Sequence, residues 1–570
     1  MEIREEIKKV IFGTVNKKWS DFDLKEADIE ISYPAQEFGD YSSNIALKLS
    51  PKLKKSPLEI AEELVEEISK NNEELFEKVS FANPGFINFY LSKKYFNQEI
   101  KNVLDLKENW GATTELENKK YIVEHSSPNL FKPFHVGHLV NNSIGESLVR
   151  IIKKSGVTDL ITLSFPSDIS PGIAKTVWAI KEKKWVKEEL TIEKIGEAYV
   201  FGTKEYKENE KAKKEIDSIN KSLYLKEDST ELEIYEKGQK LSLDYFKRIT
   251  GRLGSAFDEL IFESEAETVG KKIVEENIPK VFRKSEGAII FPGSEYGLFD
   301  NVFINSQGFG TYLAKDIGLL KMKFDKFKFD KSITITDVEQ RDHFKLVKKA
   351  AELLNEEWSD KSDYLQHGRL TFSGAKISSR LGNVPLAEDL IELVKNKIMD
   401  KIKEQDFSEK EKLEIAEKVA IGALKYSILK CGAGRNIVFD IEKATAFEGN
   451  TGPYLQYALV RTNSILNNAE KLEISNELEF SERKGDVPLV EKMILRFPVS
   501  ISDALRDSSP HHVANYLYNL ASEFGSFYAQ TKVLDTTNPD FKNNLALVKA
   551  MQITFKNGLE LLGMESLERM

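Results

Sequence analysis

A single cysteine, Cys431, in 570 residues excludes an internal disulfide framework and a zinc site built on clustered cysteines. No protein-bound zinc is therefore expected, and a reducing cytoplasm is the simplest setting. No apolar run approaches the ~20 residues that cross a bilayer. The opening residues MEIREEIKKV also lack a secretory apolar stretch, so no membrane partner is expected. Positive charge is not in excess either: 82 Lys and Arg stand against 92 Asp and Glu, leaving −10. That balance excludes a surface coated for indiscriminate nucleic-acid binding. It leaves open an RNA partner read by shape, stacking and particular side chains.

What is present fits globular domains, with 41% hydrophobic and 31% charged residues in a chain long enough for two to four of them. Residues 1–105 read as a small α/β domain. Within it Ser56-Pro57-Leu58-Glu59 forms a capping box with proline at the first helical position, and Ala61, Leu64, Val65 and Ile68 follow at helical spacing. The polar stretch 108–120 reads as a linker. Tyr121 to His125 then reads as a strand, followed by a loop with Pro128 and Pro133 and a helix from about Val136. Ile144, Leu148, Ile151 and Ile152 share one face of that helix, which closes on Lys153, Lys154 and Gly156. A second strand, Leu160 to Phe165, completes a β-α-β unit. The expectation is an α/β domain over 117–390 with a parallel, doubly wound sheet. Dense Lys and Glu over 180–225 predict a solvated helical insertion near 180–260. Strand-like pieces return at 288–291 and 333–336. From about residue 406 the pattern is helical, which predicts an all-α bundle as a third domain, 391–570.

The sharpest local feature is His135-Val136-Gly137-His138, where the first strand's loop meets its helix. With only 7 His and 32 Gly in the chain, a chance His-x-Gly-His is expected about 0.005 times. A helix N-terminus already favours phosphate through free N–H groups and the helix dipole. Gly137 leaves room for a base or ribose against the backbone, and imidazole donors suit the charge that builds on an α-phosphate under attack. Two surface histidines capping a helix are the plain alternative. Far downstream, Gly374-Ala375-Lys376-Ile377-Ser378-Ser379-Arg380-Leu381-Gly382-Asn383 has the make-up of a loop that closes over a triphosphate. A solvated basic loop is the alternative there.

Together the two elements resemble the HIGH and KMSKS signatures of class I aminoacyl-tRNA synthetases. The block from Glu124 to His138, Glu-His-Ser-Ser-Pro-Asn-Leu-Phe-Lys-Pro-Phe-His-Val-Gly-His, is similar to the extended block of arginyl-tRNA synthetases. So are the stretches 254–265, 312–318, 340–344 and 447–457, together with Glu37-Phe38-Gly39-Asp40-Tyr41, Asn83-Pro84-Gly85-Phe86-Ile87-Asn88 and the terminal Glu568-Arg569-Met570. The resemblance implies a Rossmann-like class I catalytic core between a small N-terminal domain that meets the tRNA elbow and an anticodon-binding helical bundle.

It also implies roles. His135, His138, Lys132 and Lys376 would be catalytic. Pro128, Asn129, Gly137, Ser378 and Ser379 would join the histidines and Lys376 in binding ATP, a substrate that arrives with Mg²⁺. Glu124, Asn129, Tyr312, Asp316 and Gln340 would hold L-arginine. The residue chemistry agrees, since a guanidinium calls for carboxylates, and Tyr312 and Asp316, four apart in a helix, face one way. A helix flank with a buried ring and a solvated acid is the alternative. Asn83, Phe86 and Asn88, and in the bundle Tyr454, Tyr457 and Arg461, would contact tRNA(Arg). For each ring, ordinary core packing is the alternative.

Four positions depart from the family pattern. Ser379 stands where the loop has its second lysine, a loss that arginyl enzymes offset with a lysine before HIGH, here Lys132. Ile377 replaces the customary Met, and Leu381 a common basic residue. Ser167 precedes Asp168 where the family often has glycine, so Asp168 is left out of the site. His343 fits the family block after Gln340, but a core or capping role serves it equally well, so it is not counted as catalytic. The implied reaction forms arginyl-adenylate and then arginyl-tRNA, with activation waiting for bound tRNA and a monomer sufficient. A small-molecule nucleotidyltransferase and a catalytically dead tRNA-binding paralogue are the rival readings.

Overall fold

The computed structural model describes residues 3–20, 24–373, 385–472 and 483–570, without the side chains of Gln36 and Asn71. The N-terminal part runs α1 (Ile3–Lys18), β1 (Ile31–Ser32), β2 (Tyr41–Ser43), α2 (Ile45–Leu53), α3 (Pro57–Asn71), β3 (Phe76–Ala82), β4 (Phe86–Leu91) and α4 (Lys93–Leu106). Its antiparallel sheet has the order β1-β2-β4-β3. The capping box forms as its sequence requires: Glu59 N–H donates to Ser56 Oγ at 3.3 Å, and Ser56 N–H to Glu59 Oε2 at 3.2 Å. Ala61, Leu64 and Ile68 are buried below it.

The central sheet has five parallel strands in the order β12-β11-β5-β6-β7. They are β5 (Lys120–Glu124), β6 (Asp159–Ser164), β7 (Glu259–Leu260), β11 (Lys331–Asp337) and β12 (Ser362–His367). After β5 the chain crosses α5 (Val136–Lys154) to β6 on one side, and later returns to lay β11 on the other. The carboxyl ends of β5 and β11 thus meet at the point where the winding reverses, the crevice in which open α/β sheets bind ligands.

Between β6 and β7 stand α6 (Pro171–Glu182), α7 (Ile192–Glu208), α8 (Glu210–Leu225) and α9 (Thr230–Arg252). The Lys and Glu density read as solvation is only their outer face. Ile173, Val177, Ile195, Ala198, Ala212, Ile216, Ile219 and Leu223 are buried together in a core of their own. Next come α10 (Glu263–Glu276), a small antiparallel sheet of β8 (Arg283–Ser285), β9 (Ala288–Phe291) and β10 (Asn301–Ile304), and α11 (Tyr312–Lys326). The strand expected at 288–291 therefore belongs to this side sheet. Helices α12 (Arg341–Leu354) and α13 (Glu356–Asp360) lead to β12.

Beyond β13 (Leu370–Phe372) the chain is mostly helical: α14 (Ala387–Ile402), α15 (Glu409–Leu429), α16 (Ile441–Ala444), α17 (Gly452–Lys471), α18 (Leu489–Ile494), α19 (Phe497–Arg506), α20 (His511–Gln530) and α21 (Phe541–Leu561). Among the described residues there, one short strand, β14 (Ile437–Phe439), interrupts it and pairs in parallel with β13. The N-terminal part packs on this bundle through one continuous apolar core and through Lys492 to Asp40 at 2.7 Å. Among the described residues no helix is long and apolar enough to cross a membrane.

Candidate active site

A cavity of about 460 Å³ opens at the winding reversal. Its lining includes Glu124, Asn129, His135, Gly137, His138, Tyr312, Asp316 and Gln340, which lie up to 216 positions apart in sequence. Two expected nucleotide contacts stand outside the lining. Pro128 is buried, with its carbonyl accepting Ser167 N–H at 2.9 Å. Lys132 points its Nζ over the ring of Tyr199, 4.4 Å from the centroid. Lys376, Ser378 and Ser379, with Arg380, lie outside the described residues.

The two histidines are joined to the start of α5 and to each other. Gly137 N–H donates to His135 Nδ1 at 3.1 Å, and His135 N–H donates to His138 Nδ1 at 3.3 Å. Each imidazole thus satisfies a backbone donor that a helix start leaves free. With both Nδ1 atoms accepting, each proton sits on Nε2, which makes the rings neutral hydrogen-bond donors. The rings stack, with centroids 3.7 Å apart. Burial holds both below the usual imidazole range, Lys132 adds to this at His135, and His135 and then Lys132 add to it at His138. Gly137 has a role that its sequence did not reveal: a Cβ there would stand 3.0 Å from the His135 ring, so glycine is what lets that ring fold back over the helix start.

Across the cavity lie the acids. Tyr312 begins α11, more than half exposed, and Asp316 stands one turn further on the same helix. Helix α11 crosses α10 at backbone contact: a Cβ on Gly318 would lie 1.9 Å from Ala266 O, and one on Gly270 1.8 Å from Ala314 O. Those two glycines set how deep Asp316 sits. His343 Nε2 meets Asp316 Oδ2 in a short hydrogen bond, a partner that spacing alone did not assign to the site.

Glu124 ends β5 at the cavity floor, but it is not a free carboxylate. Its Oε2 receives Lys323 Nζ at 2.5 Å and Thr334 Oγ1 at 3.1 Å, with glutamate and lysine both buried. A second buried pair forms the side wall: Lys315 Nζ to Glu263 Oε2 at 2.7 Å, with Ser167 Oγ donating to the same oxygen at 2.9 Å. Burial raises the Glu263 carboxyl and the lysine opposes it. Sequence reasoning passed over Lys323, Glu263 and Lys315. For Lys323 a signal existed, since seven residues after Asp316 is two helical turns along the same face. Glu263 and Lys315 fall inside the family-like stretches 254–265 and 312–318, but nothing in their spacing marked them as a pair. Asp168 lies apart from the cavity, accepting Ser264 N–H and Oγ–H at 2.9 and 2.7 Å as a cap on α10.

The expected tRNA contacts divide into two groups. Asn83 and Phe86 are exposed at the β3–β4 turn, which removes the core alternative for Phe86. Asn88 is buried in the sheet between Ser42 and Ser80, so its side chain is not a surface group. In the bundle, Tyr454, Tyr457 and Arg461 follow one face of α17. Tyr454 meets Tyr518 edge-on, Tyr457 is exposed, and Arg461 lies 4.3 Å over the ring of Tyr528. Tyr528 and Tyr518, both on α20, complete that surface and carried no mark in the sequence.

Family models match the chain in three successive parts. Residues 1–91 match the arginyl tRNA synthetase N terminal domain, 99–441 the catalytic domain of class I tRNA synthetases (R), and 455–570 the DALR anticodon binding domain. The arginine–tRNA ligase of Clostridium acetobutylicum is 32% identical over 99% of this chain and 100% of its own. That of Borrelia hermsii is 30% identical over the whole of both. The solved arginyl-tRNA synthetase of Thermus thermophilus shares the fold, with a TM-score of 0.80 at 24% identity over both full chains. Matched from its first domain to its last, the chain belongs to the arginyl-tRNA synthetase family.

Proposed function

We propose that the chain performs arginine–tRNA ligation in this cavity with the following division of labour. The arginine carboxylate attacks the α-phosphorus of ATP; a P–O bond forms, the bond to the β-phosphate breaks, and pyrophosphate leaves. The 3′-terminal hydroxyl of tRNA(Arg) then attacks the acyl carbon and AMP leaves. Catalysis here is positioning plus stabilisation of developing charge. The Nε2–H donors of His135 and His138 serve the α-phosphate oxygens, with Gly137 beside them. Asn129 and Gln340 hold the amino and carboxylate groups of arginine. Lys132 and Lys376 serve the outer phosphates, with Pro128 shaping the loop and Ser378 and Ser379 at the nucleotide. Mg²⁺ would arrive with ATP and would offset negative charge as pyrophosphate leaves.

Asp316 is the principal carboxylate for the guanidinium. The charges of Glu124 and Glu263 already have buried lysine partners, whereas Asp316 faces an imidazole that has no obligatory charge. Glu124 then serves as a second, shared acceptor at the floor, and Tyr312 covers the fork. On the tRNA side, Asn83 and Phe86 meet the elbow, with Asn88 supporting them from within the sheet, and Tyr454, Tyr457 and Arg461 meet the anticodon. The chain acts as a monomer in the cytoplasm, and activation waits for tRNA.

The observation that carries the reading is the single cavity that holds the paired imidazoles and the Tyr312–Asp316 face together. The test is charging of tRNA with each standard amino acid, alongside pyrophosphate exchange with and without tRNA. Arginine alone should be charged, and exchange should need tRNA. Charging of a different amino acid would overturn the substrate, and full exchange without RNA would overturn the dependence.

A further inference from the structure

The loop before α5 carries Lys132, and the insertion builds that loop's setting. Phe131 adopts φ 62° and is wholly buried. Its ring fills a notch at Gly238 of α9, where a Cβ would stand 2.2 Å from the ring, and it stacks on Tyr235. Its N–H donates to Ser242 Oγ at 3.1 Å, and Phe134 N–H donates to Tyr245 OH at 3.2 Å. Pro133 rests on α7, at Gly196, where a Cβ would be 3.3 Å from Cγ. The backbone on both sides of Lys132 is therefore fixed by α7 and α9. Only the lysine side chain is left to choose a direction, and it lies over Tyr199 of α7. No ion pair of Lys132 with a carboxylate occurs among the described residues.

We propose that Tyr199 is a positioning residue for the reaction: its ring face holds the Lys132 ammonium beside the histidine pair until the triphosphate takes it. The inference rests on the reading of Lys132 as a triphosphate ligand. A ring quadrupole attracts an ammonium without carrying a counter-charge. A carboxylate in the same place would neutralise the lysine and would also repel the phosphates. The aromatic partner keeps the positive charge available and in place, so less side-chain freedom is lost when ATP binds. The insertion thereby contributes to activation as well as covering the core.

The test is tRNA-dependent pyrophosphate exchange by the full chain carrying Tyr199→Leu, Tyr199→Phe, Lys132→Ala or Lys132→Ala with Tyr199→Leu. Lys132→Ala should lower exchange roughly tenfold or more. Tyr199→Leu should lower it about five- to tenfold, on the scale of one desolvated cation–π contact, with the KM for arginine within about twofold. Tyr199→Phe keeps the ring and should stay within about threefold of the parent. In the Lys132→Ala background, Tyr199→Leu should add less than about twofold. Normal exchange by Tyr199→Leu beside an impaired Lys132→Ala overturns the positioning role alone, as does an undiminished further loss in the double variant. Near-normal exchange by Lys132→Ala overturns the reading of the lysine itself.

Discussion

Glu124, at the carboxyl end of the central strand, bonds Lys323 at 2.5 Å, 199 residues away and two turns beyond Asp316 on α11. Ser332 Oγ and Thr334 Oγ1 surround the same ammonium at 3.2 and 3.5 Å. Removing one member leaves a buried charge uncompensated, which costs about 3–5 kcal/mol, whereas replacing both is far milder. Glu124→Gln should therefore unfold at markedly lower denaturant as well as lose arginine affinity. Glu124→Gln with Lys323→Met should recover most of the stability without recovering affinity. Equal stability of the single and double variants, read by urea unfolding, would mean that the pair is not coupled.

Asp316 makes a separable prediction. Its imidazole partner, His343, remains in place if the acid alone is changed. Asp316→Asn keeps the shape of the side chain and removes the charge that a guanidinium requires. Losing one partner of a desolvated charge pair costs 2–5 kcal/mol or more, so kcat/KM for arginine should fall about a hundredfold or more. The KM for ATP should stay within about threefold, because ATP lies at the histidine end. Unchanged arginine kinetics would take Asp316 out of the pocket.

How much of this was legible follows from how far each signal reaches along the chain. The Ser56–Glu59 cap, the β-α-β unit from Tyr121 to Phe165, the histidine pair at the start of α5 and the Tyr312–Asp316 face are all local patterns. The structure forms them where spacing placed them. The charged insertion misled for a physical reason: long Lys and Glu chains cover the outside of helices whose apolar seam is sparse in sequence and dense only when four helices meet. The partners of Glu124, Asp316 and Lys132 are 199, 27 and 67 positions away, and no periodicity in one segment reports them. Asn88 shows the converse: a motif position can be matched while its side chain is turned into the sheet.

Gly318 should be intolerant of the smallest side chain. A Cβ would stand 1.9 Å from Ala266 O, a backbone atom of α10 that no rotamer change can move. Gly318→Ala must push α11 outward, and forcing atoms into a packed interface costs about 1–3 kcal/mol. Because Tyr312 and Asp316 ride on the same helix, arginine KM should rise with the loss of stability. Gly251, an exposed helical glycine where a Cβ meets nothing within 4 Å, is the control: Gly251→Ala should leave arginine KM unchanged and should not lower stability. Similar behaviour of the two alanine variants would refute close helix contact as what sets Asp316.

Lys425 of α15 gives the pH prediction. It is almost wholly buried, and its Nζ donates to Leu253 O at 2.5 Å and Gly563 O at 2.7 Å, tying the end of the insertion to the C-terminal turn. Burial pushes its pKa down to about 7, with Arg150 adding to the effect and Glu146 and Glu565 opposing it. An unfolded lysine titrates near 10.4. Between these values the unfolded chain holds a proton that the folded chain has released, so folding stability rises with pH across that window. Below pH 7 both forms are charged, and the folded state bears the full cost of the buried ammonium. Lys425→Met lacks this slope. The stability difference between the parent and Lys425→Met should therefore shift in the parent's favour by about 2 kcal/mol from pH 7 to 9, at up to 1.36 kcal/mol per pH unit. Urea unfolding at pH 6, 7, 8 and 9 reads this directly, since it compares slopes and any hydrogen bonds lost to methionine appear only as a constant offset. Parallel curves for the two proteins would show that Lys425 keeps its proton throughout, held by the two carbonyls.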